Sequence, residues 1–225
     1  MKKRFFKWTA LAAVLCLTAL TLAGCGSNAT ATSDGGKTTT SAATGKTTAA
    51  PEQTASGEYA SGTHHAEIVV KDYGTITVEL DADTAPITVA NFCKLANEKF
   101  YDGLTFHRII SGFMIQGGDP KGNGTGGSGQ TIKGEFAANG VKNGISHKRG
   151  VISMARSNSM NSASSQFFIM HADASHLDGQ YAAFGHVTSG MEVVDAICEN
   201  TPTQDSNGTV KAADQPVIES VRILD

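Results

Sequence analysis

Three short segments of this 225-residue chain combine cationic, aromatic and amide side chains: residues 106–119 (FHRIISGFMIQGGD), 164–169 (SSQFFI) and 176–179 (HLDG). Arg108 presents five N–H donors in a rigid plane and stays charged at any ordinary pH. Phe113 and Met114 are apolar, and Gln116 can both donate and accept hydrogen bonds. Such a set can hold an apolar group beside a fixed cationic donor. Chemistry of this kind needs neither a nucleophile nor a metal ion.

The sequence carries no signature of covalent or metal-dependent chemistry. No GxSxG nucleophile elbow is present. The seven histidines show no HxxxH or HExxH spacing, so we expect them at the surface or in hydrogen bonds, and we predict no metal ion and no cofactor. Residues 122–127 (GNGTGG) match GxGxxG, but residues 128–134 (SGQTIKG) do not continue into the helix that a dinucleotide site requires. We expect this glycine-rich loop to line a cleft instead.

Eight short apolar or alternating runs predict the strands that must position these side chains: 67–70, 75–80, 105–109, 113–117, 151–154, 166–169, 183–187 and 216–224. Two helices are expected. The first begins at Pro86 and repeats apolar residues at Val89, Phe92 and Ala96, and the second covers 191–199. Many short strands joined by glycine-rich turns indicate a mainly β domain, either a closed barrel or a sandwich.

The 106–119 and 164–169 segments are long and unusual in composition. Together with the HLDG segment they closely resemble the cyclophilin family of peptidyl-prolyl cis/trans isomerases, and the resemblance extends from a hairpin at Glu67 to the C-terminal strand. It implies a mainly β fold, an eight-stranded antiparallel closed barrel capped by two α-helices, that works without a cofactor. It also implies that Cys93 and Cys198 lie on helices at opposite ends of the barrel and do not pair.

The same resemblance assigns catalytic roles to Arg108, Phe113 and Gln116. It assigns substrate binding to nine further positions: Met114, Gly124, Ala155, Arg156, Gln166, Phe168, His176, Leu177 and Tyr181. Taken singly, a phenylalanine or methionine is more typical of core packing and an arginine of a surface ion pair, but the joint match favours a site. We therefore expect rotation about X–Pro bonds in proline-containing polypeptides, with Arg108 stabilising the twisted amide in an apolar pocket. The alternative is a binding module that uses the same pocket without turnover.

Four positions depart from the familiar family pattern. Many cyclophilins carry tryptophan where this chain has His176, and proline where it has Ser111. Arg156 and Ser157 replace a smaller Ala-Asn-Ala type of segment, and we expect this replacement to change the substrate preference around the proline. We expect none of these departures to touch the core of the site, Arg108 and Phe113.

The N-terminus has the features of a bacterial lipoprotein signal. A basic start, residues 2–7, leads into an apolar run, residues 8–22, that is too short for a membrane-spanning helix and is followed by a cysteine within the sequence Leu-Ala-Gly-Cys. We expect residues 1–24 to be a signal peptide, and Cys25 to be lipidated and to anchor the protein in a membrane. An ordinary cleaved signal peptide and an uncleaved anchor helix are the alternatives.

Composition separates a linker from a domain. Residues 25–62 are rich in Ser, Thr, Ala and Gly and predict a disordered linker, whereas residues 63–225 form the expected isomerase domain. The formal net charge is −3, but four of the 18 basic residues lie in the first seven positions, and the remaining 14 face 21 acidic residues, a net charge of −7. We therefore predict no nucleic-acid partner. We also predict a monomer outside the cytoplasm, anchored to a bacterial cell membrane.

Overall fold

Eight antiparallel strands and two α-helices make up the fold of residues 56–225, the part of the chain that the computed structural model describes. The strands are β1 Thr63–Val70, β2 Gly74–Asp81, β3 Phe106–Ile110, β4 Met114–Gly117, β5 Val151–Met154, β6 Phe167–Met170, β7 Ala183–Ser189 and β8 Ile218–Ile223. The helices are α1 Pro86–Asn97 and α2 Met191–Asn200. The predicted mainly β fold, with eight antiparallel strands and two helices, is confirmed.

The strands form one sheet in the order β3-β4-β6-β5-β7-β2-β1-β8, so that β3 and β8 lie at its two ends. Within the described residues these end strands are not paired along their length. Only the residues around their first positions are bonded, with the Phe106 N–H donating to the Pro216 carbonyl at 2.9 Å and the Ile218 N–H to the Leu104 carbonyl at 2.7 Å. Full closure of the barrel therefore stays a prediction.

Alternation along the strands separates two apolar clusters on opposite faces of the sheet. In β6, Phe167 and Ile169 belong to the main core, whereas Phe168 and Met170 belong to a second, smaller cluster. The main core contains interlocking aromatic rings: Phe92, Tyr101, Phe106, Phe167 and Phe184. The second cluster lies on the other face, and it is this face that carries the candidate site.

A buried carboxylate fixes a long connection to the start of α1. The helix begins at Pro86 and has no side-chain cap from Ala85. Instead Glu135, from the connection between β4 and β5, accepts hydrogen bonds from the Ile87 N–H at 3.0 Å and the Thr88 N–H at 2.8 Å. The Thr88 hydroxyl donates to it as well, at 2.7 Å. A negative charge at a helix N-terminus is stabilising, so Glu135 replaces the missing cap.

The N-terminal edge of the described region already contacts the domain before the predicted boundary at residue 63. Tyr59 packs against the main core, and its hydroxyl accepts a hydrogen bond from Asn97 Nδ2 at 3.1 Å. The Gly62 N–H donates to Asp83 at 2.8 Å. The predicted signal peptide, Cys25 and most of the predicted linker lie outside the described residues. Within the described residues, no helix is long and apolar enough to cross a membrane.

The two cysteines of the domain lie on different helices, Cys93 on α1 and Cys198 on α2, and each is a buried free thiol. Burial raises the pKa of each to about 12. Both thiols are therefore protonated and unreactive at neutral pH.

The expectation that the histidines lie at the surface or in hydrogen bonds is wrong for His107. This residue of β3 is buried, and neither ring nitrogen has a hydrogen-bond partner among the described residues. Burial lowers its pKa from the ordinary 6.5, against the opposing effect of Asp119. His147 is also buried, but its ring bonds Asp178 at 3.0 Å and Ser153 at 3.1 Å.

The lowered pKa of His107 predicts a loss of stability in mild acid. Below about pH 6.5 the unfolded chain binds a proton that the folded His107 resists, so the free energy of unfolding falls as the pH drops from 7 to 5. In His107→Leu this fall should be smaller, and stability at pH 7 should stay within about 1.5 kcal/mol of wild type, because leucine is similar in size and the replaced imidazole has no hydrogen bond to lose. Urea unfolding at pH 7 and pH 5 measures both quantities.

The exposed residue His186 provides the matched control, and His186→Gln should keep the wild-type difference between the two pH values. An unchanged difference in His107→Leu would show that His107 does not resist protonation in the folded state.

Candidate active site

Strand register brings three of the predicted site residues side by side on the face of the second cluster. Arg108 of β3 is paired with Gln116 of β4, and Gln116 is paired with Phe168 of β6. Met114 lies two residues before Gln116 on β4 and shares its face. The cation, the amide and the apolar side chains therefore come together because three antiparallel strands are held in one register, although Phe168 lies 60 residues from Arg108 in the sequence.

A chain of hydrogen bonds fixes the Arg108 side chain. Arg108 Nη1–H donates to Gln116 Oε1 at 3.2 Å, and Gln116 Nε2–H donates to Gln166 Oε1 at 2.9 Å. Gln166 Nε2–H then donates to the Gly126 carbonyl at 2.8 Å, which ends the chain on the glycine-rich loop. Each amide both accepts and donates, so each member orients the next.

Asn207 holds the other side of the guanidinium, and sequence reasoning missed it. Its backbone carbonyl accepts from Arg108 Nε–H at 2.8 Å, and its side-chain oxygen accepts from Nη2–H at 3.2 Å. The loop carrying Asn207 is bonded to β3 through the Ile109 N–H, which donates to the Gly208 carbonyl at 2.8 Å. Three of the five N–H donors of Arg108 are thus occupied by protein groups, and one N–H on each terminal nitrogen is not engaged by these partners.

The charge of Arg108 is unpaired within the described region, where no ion pair includes this residue. Burial lowers the pKa of the guanidinium, whereas Tyr181 and Asp205 raise it. An arginine remains protonated at neutral pH in spite of such a shift. The site therefore holds a permanent cation that is fixed by neutral hydrogen-bond acceptors.

The guanidinium lies at the edge of a cavity of about 220 Å³, here called the apolar cavity because six of its nine lining residues have apolar or aromatic side chains. Nine residues form its walls, and all nine are site residues predicted from the sequence: Arg108, Phe113, Met114, Gln116, Ala155, Arg156, Phe168, Leu177 and Tyr181. Met114 and Phe168 are almost completely buried, at 2% and 5% exposure, so they present rigid surfaces to the cavity. An apolar ring bound here would lie within reach of a fixed cationic donor.

Phe113 lies at the tip of the β3–β4 hairpin, and His171 holds this tip in place. The Phe113 carbonyl accepts from the His171 N–H at 2.9 Å, and the neighbouring Gly112 N–H donates to His171 Nδ1 at 2.7 Å. His176 stacks on the Phe113 ring, with centroids 5.9 Å apart and planes inclined by 23°. His176 is exposed and lines neither this cavity nor the one that adjoins it, so it supports the rim rather than forming a wall. The expectation that no departure from the family pattern touches Phe113 is therefore wrong for His176.

Phe168 is packed between two other rings. His147 stacks on it, with centroids 6.0 Å apart, and Tyr181 meets it edge-on at 5.8 Å. The hydrogen bond from His147 to Asp178 and the one that it accepts from Ser153 fix the orientation of the imidazole. The apolar wall of the cavity is therefore held by a polar network behind it.

A second cavity of about 320 Å³ adjoins the first and shares Gln116, Ala155 and Arg156 with it. Its remaining walls are mostly small and polar: Gly124, Thr125, Gly126, Ser157, Ser162, Ser164 and Gln166. The prediction that the glycine-rich loop lines a cleft is confirmed. No group of three or more His, Cys, Asp or Glu able to hold a metal ion occurs in residues 56–225.

Asp119 gives the glycine-rich loop its shape. Its carboxylate accepts hydrogen bonds from the N–H groups of Lys121 at 2.8 Å, Asn123 at 3.1 Å and Gly124 at 2.6 Å. Burial raises the pKa of Asp119, but these backbone hydrogen bonds outweigh burial and hold the pKa below its ordinary value. The loop therefore stays bonded to an ionised carboxylate at neutral pH.

The sequence of this chain is similar to the sequences of known peptidyl-prolyl cis-trans isomerases. A sequence model of the family described as "Cyclophilin type peptidyl-prolyl cis-trans isomerase/CLD" matches residues 65–225. Peptidyl-prolyl cis-trans isomerase B of Bacillus subtilis is 52% identical over 124 residues, which cover 55% of this chain and 83% of that protein. A peptidyl-prolyl cis-trans isomerase of Helicobacter pylori is 50% identical over 126 residues, covering 55% of this chain and 74% of that protein.

Solved structures agree with the sequence comparison. The crystal structure of a cyclophilin-type peptidyl-prolyl cis-trans isomerase from Cryptosporidium parvum has a TM-score of 0.64 and 30% identity, and the match covers 73% of this chain and 99% of that one. The same protein determined in the presence of the dipeptide Ala-Pro gives a TM-score of 0.63 and 31% identity, with 72% and 99% covered. The chain belongs to the family of cyclophilin-type peptidyl-prolyl cis-trans isomerases.

Proposed function

We propose that this isomerase accelerates rotation about X–Pro bonds by holding the proline ring in the apolar cavity and directing Arg108 N–H groups at the prolyl nitrogen. The observation that supports the proposal most strongly is the fixed guanidinium at the cavity edge. Gln116 and Asn207 occupy three of its N–H donors and leave two for a substrate.

Rotation about an X–Pro bond breaks no covalent bond. The barrier of roughly 18–20 kcal/mol arises because twisting removes the amide resonance. The planar amide is the more charge-separated form, so an apolar cavity disfavours it relative to the twisted form. The prolyl nitrogen of the twisted form carries a localised lone pair, and a donor aimed at that lone pair helps only during rotation. Such an interaction raises the rate because it is stronger in the transition state than in the ground state.

In this proposal Phe113, Met114, Phe168 and Leu177 contact the proline ring. Gln116 has two functions, since its amide orients Arg108 and lies at the wall of both cavities, where it can meet the substrate backbone. The substrates are proline-containing polypeptides. The Ala-Pro dipeptide named in the structure of the Cryptosporidium parvum relative is consistent with this class of ligand.

The cellular setting is proposed from sequence alone. Residues 1–24 would be removed as a signal peptide, Cys25 would be lipidated, and the chain up to about residue 62 would tether the isomerase domain to a bacterial membrane as a monomer. A lipidated cysteine with two acyl chains is sufficient for stable anchoring. The substrates would then be exported proteins that fold on the outer side of that membrane.

Replacing Arg108 tests the proposed mechanism. In Arg108→Ala we expect kcat/KM for a proline peptide to fall about 100-fold, as for the loss of one transition-state hydrogen-bond donor. Arg108→Lys should also lie far below wild type, because an ammonium group cannot reproduce the planar donors. Isomerisation of a short proline peptide, followed by a conformer-specific cleavage assay or by exchange spectroscopy, provides the measurement.

Arg222→Ala, at an exposed position on β8, is the matched control for loss of one arginine and should keep the wild-type rate. If Arg108→Ala isomerised the peptide as fast as wild type, the catalytic role would be excluded and the domain would be better described as a proline-binding module.

Replacing Cys25 tests the proposed anchor. Cys25→Ser should move the protein from the membrane fraction to the soluble fraction of fractionated cells, because no acyl chains can be attached. Isomerase activity per molecule should stay the same. Retention of the variant in the membrane fraction would contradict lipid anchoring and would point to the apolar run at residues 8–22.

A further inference from the structure

We propose that Arg156 gives this isomerase a preference for substrates that carry a carboxylate side chain, Asp or Glu, within a few residues of the proline. This inference rests on the proposed function, because it names the class of proline substrate that the same cleft favours. It is carried by the geometry of Arg156 and by the distribution of charge around the two cavities.

Arg156 is clamped in one position by two aromatic rings. Its guanidinium carbon lies 5.0 Å from the centroid of the Phe136 ring and 4.8 Å from that of Tyr181. Nε–H donates to the Gln180 carbonyl at 3.0 Å, and Nη1–H donates to the Ser157 carbonyl at 2.9 Å. A guanidinium held by stacking and by two hydrogen bonds has little conformational freedom left to lose when it binds a ligand.

The clamp leaves most of the hydrogen-bonding capacity of Arg156 free. Within residues 56–225, Arg156 donates two of its five N–H groups, both to backbone carbonyls. No ion pair of that region includes Arg156. An arginine with a purely structural function would more typically be neutralised by a carboxylate, whereas this one keeps a full charge and three donors.

Arg156 lies in the wall shared by the two cavities. It lines both the apolar cavity with Arg108 and the adjoining polar cavity. A proline ring in the first cavity would therefore place a neighbouring side chain of the same peptide close to this guanidinium. The hydroxyl groups of Thr125, Ser157 and Ser162 in the polar cavity already donate to protein oxygens, so Arg156 is the group that would bind a carboxylate here.

The charge around the cleft differs in sign from the charge of the chain as a whole. Apart from the four basic residues at the extreme N-terminus, the sequence carries 14 basic and 21 acidic residues. Among the residues lining the two cavities, however, there is no Asp or Glu, and the charged ones are Arg108 and Arg156. An acidic protein with a cationic cleft selects ligands by the sign of their charge. The ligand chemistry that fits is a carboxylate, whose two oxygens match the planar donors of arginine.

A set of matched peptides tests this inference. Each short proline peptide carries a single Glu, placed at one of the three positions before the proline or one of the two positions after it. A partner peptide carries Gln at the same position. At one or more of these positions we expect wild type to isomerise the Glu peptide with a kcat/KM about 5- to 10-fold above that of the Gln peptide. The ratio should fall when the salt concentration is raised from 0.05 to about 0.5 M, because ion pairs at partly exposed sites are screened.

Variants assign the preference to Arg156 rather than to Arg108. In Arg156→Gln the Glu-to-Gln ratio should fall to about 1, and in Arg156→Lys, which keeps the charge without the planar fork, it should lie between the two values. In Arg156→Glu the preference should reverse, with a Lys peptide isomerised faster than the Glu peptide. Arg222→Gln removes the same charge at an exposed position on β8 and should keep the wild-type ratio.

The ratio is measured on one enzyme preparation, so partial unfolding of a variant lowers both rates equally. If wild type isomerises Glu and Gln peptides equally at every position, or if Arg156→Gln keeps the preference, the inference is overturned while the proposed isomerase function stands. If wild type isomerises none of the peptides, the proposed function itself fails.

Discussion

The hydrogen-bond chain that runs from Arg108 through Gln116 and Gln166 to the Gly126 carbonyl is the interaction on which the site depends. A guanidinium on a flexible side chain would otherwise sample many orientations and turn toward water. Here neutral acceptors hold the plane of the group without neutralising its charge. The chain joins β3, β4, the start of β6 and the glycine-rich loop, so a change in register of any one strand would break it.

The sheet supports this arrangement because its central strands β5 and β6 are buried on both faces. The inner face forms the main core, and the outer face carries the second cluster against which the cavity is built. Residues such as Phe168 therefore stabilise the fold and shape the site at once. His147 and Tyr181 pack against the Phe168 ring and restrict it, so the apolar wall is present before any substrate arrives. Preorganisation of this kind lowers the cost of ordering the site in the transition state.

The sequence was informative where local pattern and motif coincided. Apolar patterns predicted the strands to within a few positions. β1 and β2 alternate because one face is buried, whereas β5 and β6 are continuous apolar runs because both faces are buried. The 106–119 and 164–169 segments contain most walls of the apolar cavity, since the residues that meet across β3, β4 and β6 lie within these two short runs. The sequence pattern does not indicate whether the barrel closes, because the contact between the two end strands involves only a few backbone groups around their first residues.

Other features had no signal in the sequence. Asn207 orients Arg108 from a loop 99 residues away, and half of that contact is made by a backbone carbonyl that any residue would supply. Glu135 caps α1 from a connection without periodicity. His107 was expected to be exposed or bonded, but β3 is covered on the side that carries its ring, so the imidazole is buried without a partner. Each of these contacts is fixed by tertiary structure and not by neighbours in the chain.

In the proposed mechanism Arg108 stabilises the twisted amide rather than the bound ground state. The most direct test measures the affinity for the substrate separately from the rate of rotation on the enzyme. Exchange NMR on a labelled proline peptide, titrated with wild type and with Arg108→Ala, yields the Kd and the cis/trans exchange rate at saturation from the same samples. We predict that the exchange rate of the bound peptide falls about 100-fold in the variant while Kd changes less than about 3-fold. A Kd weakened about 100-fold with an unchanged exchange rate would contradict the account, because Arg108 would then serve only to bind the peptide.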